Sequence, residues 1–428
     1  MQTSDIGASA IPRQWIKPAA AVAAAGWGAQ QFTPLLLVYQ DRLHLTNTMT
    51  QLTFAAYTAG LLPGLLFGGP FSDRFGRKAV MIPTMLAALL ASLLLIAGPW
   101  GIGWLIAGRL ITGVASGAAF SSGAAWLKEL SNAESHDVTQ GARRLTVAMG
   151  IGFALGPLVA GVLAQWAPDR TIVPYIPHLL LAGLALILVV RTPETLTKNP
   201  DAGILAALRI REVRDRRFLM IVAPLAPWVF IPVAVILAYV PAIIHDSTRS
   251  WAMLFAAIVT TFNAGAGILV QKPAKAIAAH GRQYLILTGF SLVVAGLLLA
   301  VAAVRFASPT VALISSLVLG VAYGCLQVCG LLEVQSIADP ARLGGLTAVY
   351  QALTYIGFAA SFVLALLAPW GTPVQLLLYT ALLAALCFGW LIRAQRVLDP
   401  KVPGPAAAVP PVPTEVRHPA RNASGGRG

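Results

Sequence analysis

Residues able to do chemistry are scarce in this chain, and their positions are unusual. Only 16 of its 428 residues are acidic, and most of these fall in polar loops or tails. One carboxylate, Glu333, lies inside an apolar stretch, where it shares a helix face with Cys325 and Cys329 at spacings of i, i+4 and i+8. It reads either as a proton carrier or as a solvated acid near a surface. Arg109 also lies inside an apolar stretch, so its guanidinium needs a cavity, a partner or a route to water. His178 has a side chain that can titrate near neutral pH, or it simply hydrogen-bonds a neighbour. Asp41 closes the first apolar stretch. Cys325, Cys329 and Cys387 are all within apolar segments, so neither a disulfide framework nor a metal spacing follows and no cofactor is expected. No nucleophile-and-base set or phosphate-binding glycine loop stands out, which argues against an enzyme and against an ATP-driven pump.

A second group combines aromatic rings with amides in mid-segment positions: Trp27, Gln30, Gln31, Tyr57, Trp228, Asn263, Tyr323, Gln327, Tyr350 and Tyr355. Trp27 and Gln31 share a helix face, as do Tyr323 and Gln327. Rings and amides with few charges suit a cavity for an apolar or amphipathic organic molecule. Any one of these residues could equally pack in a core or face lipid.

The elements that must position these residues are membrane helices. The chain is 57% hydrophobic and 11% charged, with a mean hydropathy of +0.75, and a soluble fold cannot cover its surface with so few charges. Twelve apolar segments are expected near residues 18–39, 48–70, 79–98, 102–127, 144–166, 172–190, 218–242, 251–270, 284–304, 309–332, 345–368 and 373–393. Each is close to the roughly 20 residues that cross the hydrocarbon core, and helices satisfy their own backbone there. The first is too long for the core of a cleavable leader, so none is expected.

The net charge of +14 could suggest a nucleic-acid partner, but the basic residues are dispersed over short loops on one side. With the N-terminus inside, the outer loops hold only Arg42, Arg170, Arg249 and Arg305. Both termini are therefore expected in the cytoplasm. The abundance of Ala, and of Arg over Lys, points to a bacterial inner membrane. The expected organisation is a cytoplasmic segment 1–17, a six-helix bundle 18–190, a charged cytoplasmic loop 191–217 with a short amphipathic helix, a second bundle 218–393, and a Pro/Ala/Gly-rich tail 394–428.

The halves echo each other. "GVASG" at Gly113–Gly117 returns as "GVAYG" at Gly320–Gly324, and "GRK" at Gly76–Lys78 returns as "GRQ" at Gly281–Gln283. Offsets of 207 and 205 in matching positions support a duplication with a site at the interface.

The loop "GGPFSDRFGRKAV" between the second and third segments is the most specific signal. Gly69, Asp73, Arg74, Gly76, Arg77 and Lys78 give it a close resemblance to the loop signature of the major facilitator superfamily. The resemblance spans residues 18–393 and implies an all-α membrane fold of twelve transmembrane helices in two six-helix bundles. It also implies that Asp73 latches onto the second half in the outward-open state, near the start of the eleventh helix at Gly345–Thr347. Ala278 stands where Asp73 would repeat, so the latch is expected to be one-sided.

"RLITGVASG" resembles the family's fourth-helix motif, in which the residue matching Arg109 is linked to proton transfer in antiporters. Gly152, Gly156, Pro157 and Gly161 match most of the fifth-helix motif of the antiporter branches, although Ala160 and Arg143 stand where that motif has glycines. Ordinary close packing needs the same residues. "TPET" at Thr192–Thr195 resembles a family element at the end of the sixth helix, and Gly60, Gly64 and Gly68 read as a packing stripe. Drug–proton antiporters often carry an acid in the first helix, where this chain has Gln30 and Gln31, which weakens a reading as a cation exporter. The expected function is secondary active transport: proton-coupled efflux of an organic compound by a monomer. Proton-coupled import of a small metabolite, and a transporter-like sensor, are the alternatives.

Overall fold

Among the described residues, twelve long helical segments run through the structure, in the number and order expected from the sequence. In the computed structural model, residues 13–134, 138–196, 210–339 and 342–398 are described. The first half contains α1 (Ile16–Leu43), α2 (Asn47–Phe75), α3 (Arg77–Ile96), α4 (Ile102–Glu134), α5 (Val138–Trp166) and α6 (Val173–Val190). The second contains α7 (Phe218–Ile243), α8 (Ala252–Leu269), α9 (Arg282–Arg305), α10 (Pro309–Ile337), α11 (Leu343–Leu366) and α12 (Pro373–Leu398).

Eleven of these are long and apolar enough to cross a membrane. The other, α1, has 28 residues, of which 18 are buried inside the protein, so Gly26, Gly28, Gln31 and Thr33 are screened from lipid. Local sequence sets several starts. Thr46 caps α2 by accepting from the Met49 amide (3.3 Å), and Ser308 caps α10 ahead of Pro309. The helices α2, α4 and α10 run past the apolar limits of 70, 127 and 332, because backbone bonding continues after hydropathy ends.

The duplication is visible in the backbone. Gly76 and Gly281 both adopt positive φ (102° and 142°), and each immediately precedes a helix, α3 or α9. A side chain at either position would be strained. Within the first half α4 packs on α2 and α3; within the second, α10 packs on α8 and α9. The halves meet along α2–α11 and α5–α8, a pairing that exchanges with itself when the halves are swapped.

The two faces of the molecule differ. Opposite the basic α2–α3 loop the halves are bonded together. Thr48 Oγ1 donates to Ala365 O (3.3 Å), Gln51 Nε2 to Ala238 O (3.1 Å) and Gln165 Nε2 to Ser250 O (2.8 Å). On the basic face, the ion pairs among the described residues stay within one half. Among the described residues, hydrogen bonds thus tie the halves together on the face opposite the basic loop. The amphipathic helix expected within 191–217 falls largely outside the described residues, as does nearly all of the tail.

Candidate functional site

The basic face carries two related charge clusters. Arg77 donates to Glu129 through Nη2 (2.6 Å) and to Asp73 through Nη1 (2.7 Å). Its own amide and that of Lys78 donate to Glu194 (3.0 Å each), so the "TPET" acid caps the start of α3. Partial burial pushes the Glu194 carboxyl up, but four backbone N–H donors together hold it below its ordinary range. Its bonds thus stabilise the fold above the pH at which an unfolded glutamate titrates, and that contribution fades as pH falls through the lower folded value. A Cβ on Gly76 would strike this carboxylate, a second reason for glycine there.

The equivalent cluster in the second half is Glu333 between Arg217 Nε (2.6 Å) and Arg282 Nε (3.5 Å). Arg77–Glu129 joins α3 to α4 and Arg282–Glu333 joins α9 to α10, the corresponding helix pair of the second half. Glu333 is fully buried, which removes the reading of a solvated interfacial acid. As a proton carrier it is poorly placed, since guanidiniums engage both oxygens and a proton would have to displace one.

Asp73 is paired with Arg77 in its own half and its side chain is 57% exposed, rather than held at the start of α11. The contact with α11 expected of Asp73 is not among the bonds of the described residues. Arg77 keeps its pair with Glu129 when Asp73 is changed, so Asp73→Asn is expected to leave this conformation nearly as stable while depleting the opposite one. Distances between spin labels on the α2–α3 and α10–α11 loops check this; an unchanged distribution makes Asp73 a simple loop acid.

Arg109 does not reach a surface. It is 2% exposed, with Nη1 donating to Ala29 O (3.1 Å) and Nη2 to Phe54 O (3.4 Å). Its guanidinium lies over the rings of Tyr57 (4.7 Å), Phe32 (4.8 Å) and Phe54 (5.9 Å), and desolvated contacts of this kind contribute up to about 2 kcal/mol. Nε has no partner among the described residues.

His178 is held in a chain of bonds. Nε2 lies 3.1 Å from Ala24 O and Nδ1 2.7 Å from Ser92 Oγ, which accepts from Gln31 Nε2 (3.2 Å). The carbonyl requires Nε2–H as donor, so Nδ1 accepts from the serine. Gly28 leaves the room that this ring fills. Asp41 is on the opposite face, half exposed and 3.7 Å from His245 of the second half, in a depression away from the interior.

The glycine motifs are packing surfaces. A Cβ on Gly152 would collide with Ala23 O, one on Gly156 with the Trp27 backbone, and one on Gly161 with Ala257 of the other half. The fifth-helix motif therefore seats α5 on α1 and on α8.

Between the halves lies a narrow cavity lined by Gln30, Tyr57, Asn263, Tyr323 and Tyr355, together with Phe153, Phe230, Val233, Leu237, Thr260, Ala264, Ile268 and Phe358. The first five were expected. The other five candidates are elsewhere. Gln31 faces Ser92, Trp228 packs edge-on to Phe290, and Tyr350 sits under Gly330 with its hydroxyl toward Leu326 O. Gln327 bonds Gln351, and the Trp27 backbone seats Gly156. All ten lie mid-segment, and hydropathy does not show which helix face turns inward.

Phe230 and Phe358 are the important omissions. Phe230 stacks on Tyr355 and on Phe358 at 4.6 Å each. A signal for it was present: Pro224, Pro227, Pro232 and Pro241 interrupt α7, and broken helices commonly line transporter sites. The chain there passes through π-helical and tighter 3₁₀ turns because these prolines lack N–H donors.

Comparison with known proteins agrees with this architecture. A nucleoside transporter NupG aligns with a TM-score of 0.68 at 11% identity, covering 90% of this chain and 99% of that one. A POT family transporter in complex with 5-aminolevulinic acid aligns at 0.73 and 13% identity, covering 92% and 97%. Among curated proteins, a bacillibactin exporter of Bacillus subtilis (strain 168) is 26% identical over 145 residues, 32% of this chain and 36% of its own length. The class C tetracycline resistance protein of Escherichia coli is 27% identical over 121 residues, 28% of each chain. The chain spans about a third of the length of the curated relatives it matches. Residues 18–362 match the Major Facilitator Superfamily profile, and with this loop signature and two six-helix bundles the chain belongs to that family of membrane transporters.

Proposed function

We propose that this protein is a secondary active transporter that exports an apolar or amphipathic organic compound in exchange for protons by alternating access. The observation that carries this reading is the aromatic and amide cavity at the seam of the two halves, about 50 Å³ in this conformation and therefore required to widen around a substrate. The basic face is assigned to the cytoplasm from the distribution of Lys and Arg, which makes the conformation inward-facing and the protein a component of a bacterial inner membrane. It works as a monomer, since the cavity is complete within one chain. Export is favoured by the relatives that are exporters by name. Residues 218–393 act as the moving partner of 18–190, joined through 191–217.

Proton coupling needs a group that changes protonation between states, and no carboxylate lines the cavity among the described residues. His178, buried in the first half, remains in that role, with Asp41 at the far face, while Arg109 keeps its charge and acts beside the proton carrier.

The test is substrate flux in proteoliposomes under an imposed pH gradient. Export should follow the gradient, and Arg109→Ala should abolish the coupled flux in protein that still folds. Arg109→Lys should restore only part, because the planar fork is lost. Wild-type flux that ignores the gradient makes the protein a uniporter, reversed flux makes it an importer, and binding without flux makes it a sensor.

A further inference from the structure

We propose that the cavity selects flat aromatic molecules that carry a carboxylate; this rests on the reading of the cavity as the substrate site. Two independent features of the cavity lead there, one of shape and one of charge.

The shape feature is a slab of parallel rings. Phe230 lies at 17° to Tyr355 and 24° to Phe358, with Tyr323 at 5.3 Å and 37°. Offset stacking favours another flat π-system over a saturated ring of the same volume. Gln30 faces the same space. Its carbonyl accepts from Thr33 Oγ1 (3.2 Å), which leaves the amide N–H pair to meet an acceptor.

The charge feature is Arg109. Two arginines have buried side chains among the described residues, Arg77 and Arg109. Arg77 is neutralised by Asp73 and Glu129. Arg109 has only carbonyls and ring faces for partners, and its Nε is unpartnered. Its charge therefore projects beyond its immediate neighbours, and low-polarity surroundings screen it weakly. The Tyr57 ring is its neighbour on one side and a wall of the cavity on the other. A cavity with one uncompensated cation behind its wall, and no carboxylate in its lining, favours an anion and disfavours an amine.

Binding to the purified full chain, followed by tryptophan fluorescence or calorimetry, tests this without any flux. The probes are 2-naphthoate, 2-naphthamide, 2-(aminomethyl)naphthalene and decalin-2-carboxylate. The naphthoate should bind about tenfold more tightly than the amide or the decalin acid, and about a hundredfold more tightly than the amine. Arg109→Gln should bring naphthoate and amide to equal affinity, and Phe230→Leu should erase the preference for naphthoate over the decalin acid. If Arg109→Gln does not fold, Arg109→Lys, which keeps the charge, must keep the preference for the anion. Amide or amine binding as tight as naphthoate overturns the charge argument, and equal binding of the decalin acid overturns the ring argument. Naphthoate binding with no flux of any kind in proteoliposomes would sink the transport reading while leaving the anion preference standing. Failure of all four probes would remove the cavity as a substrate site.

Discussion

Gly113→Leu is expected to leave almost no folded protein. Gly113 rests directly on the backbone of α2, where a Cβ would fall inside the Tyr57 carbonyl and 2.6 Å from the Leu61 amide. Backbone cannot swing aside as a side-chain tip can, so the helices must part and lose the contacts along the whole crossing. Overpacking a well-fitted core costs about 1–3 kcal/mol even for modest additions. Gly113→Ala should sit at the top of that range, and leucine beyond it. Gly320→Ala should behave in the same way, because it meets Asn263 O at the matching α8–α10 crossing. Gly183→Ala is the control: nothing lies within 4 Å of its Cβ position, so the change should be neutral or stabilise by up to about 1 kcal/mol. Thermal unfolding and the monodisperse fraction in detergent measure all four variants. Equal losses for Gly113→Ala and Gly183→Ala would show that the crossing is loose.

Glu333→Ala is expected to destabilise the protein by about 1.5–3 kcal/mol, the scale of hydrogen bonds to charged groups, because its arginine partners are themselves 18% and 35% exposed and stay partly solvated. It leaves Arg217 and Arg282 facing each other across a fully buried position. Glu333→Gln should lose less, since the amide oxygen can still accept one guanidinium bond. Whatever Glu333→Gln protein folds should still respond to a pH gradient, because Glu333 is a structural anion held between two guanidiniums away from the cavity lining. A double-mutant cycle with Arg282→Ala should give a coupling of about 1 kcal/mol or more. Wild-type unfolding temperature for Glu333→Gln, with pH-driven flux lost, would return Glu333 to the proton pathway.

Much was legible from sequence because the bilayer imposes strong rules. Helices are the only open spanning form, so apolar lengths gave twelve segments in order, and the offset of about 205 announced the duplication. The α2–α3 loop was readable because it needs an acid, bases and a positive-φ glycine in a fixed order. Arg109 was readable because a charge in an apolar segment has few physical excuses. Those features are local, and each is set by a residue type meeting a solvent or a backbone angle.

What the sequence left open depends on which way helices turn and on what lies across the gap. Gln30 lines the cavity while Gln31 joins Ser92 and His178, although both carry the same side chain one position apart. A rotation of 100° per residue separates those fates, and hydropathy does not see it in a helix that is buried on most sides. Glu333 looked the same whether solvated, protonated or paired; only the approach of Arg217 from 116 residues away decided it. Phe230 joined Tyr355 and Phe358 because the broken α7 meets α11 at Gly357, where a Cβ would strike Pro227 O. The sequence by itself thus determined the spans, the duplication and the loop chemistry, which follow from solvent and backbone rules acting on a few neighbouring residues. The tertiary structure alone decided the lining of the cavity and the partners of the buried charges, because both arise from helix rotation and from contacts between segments far apart in the chain.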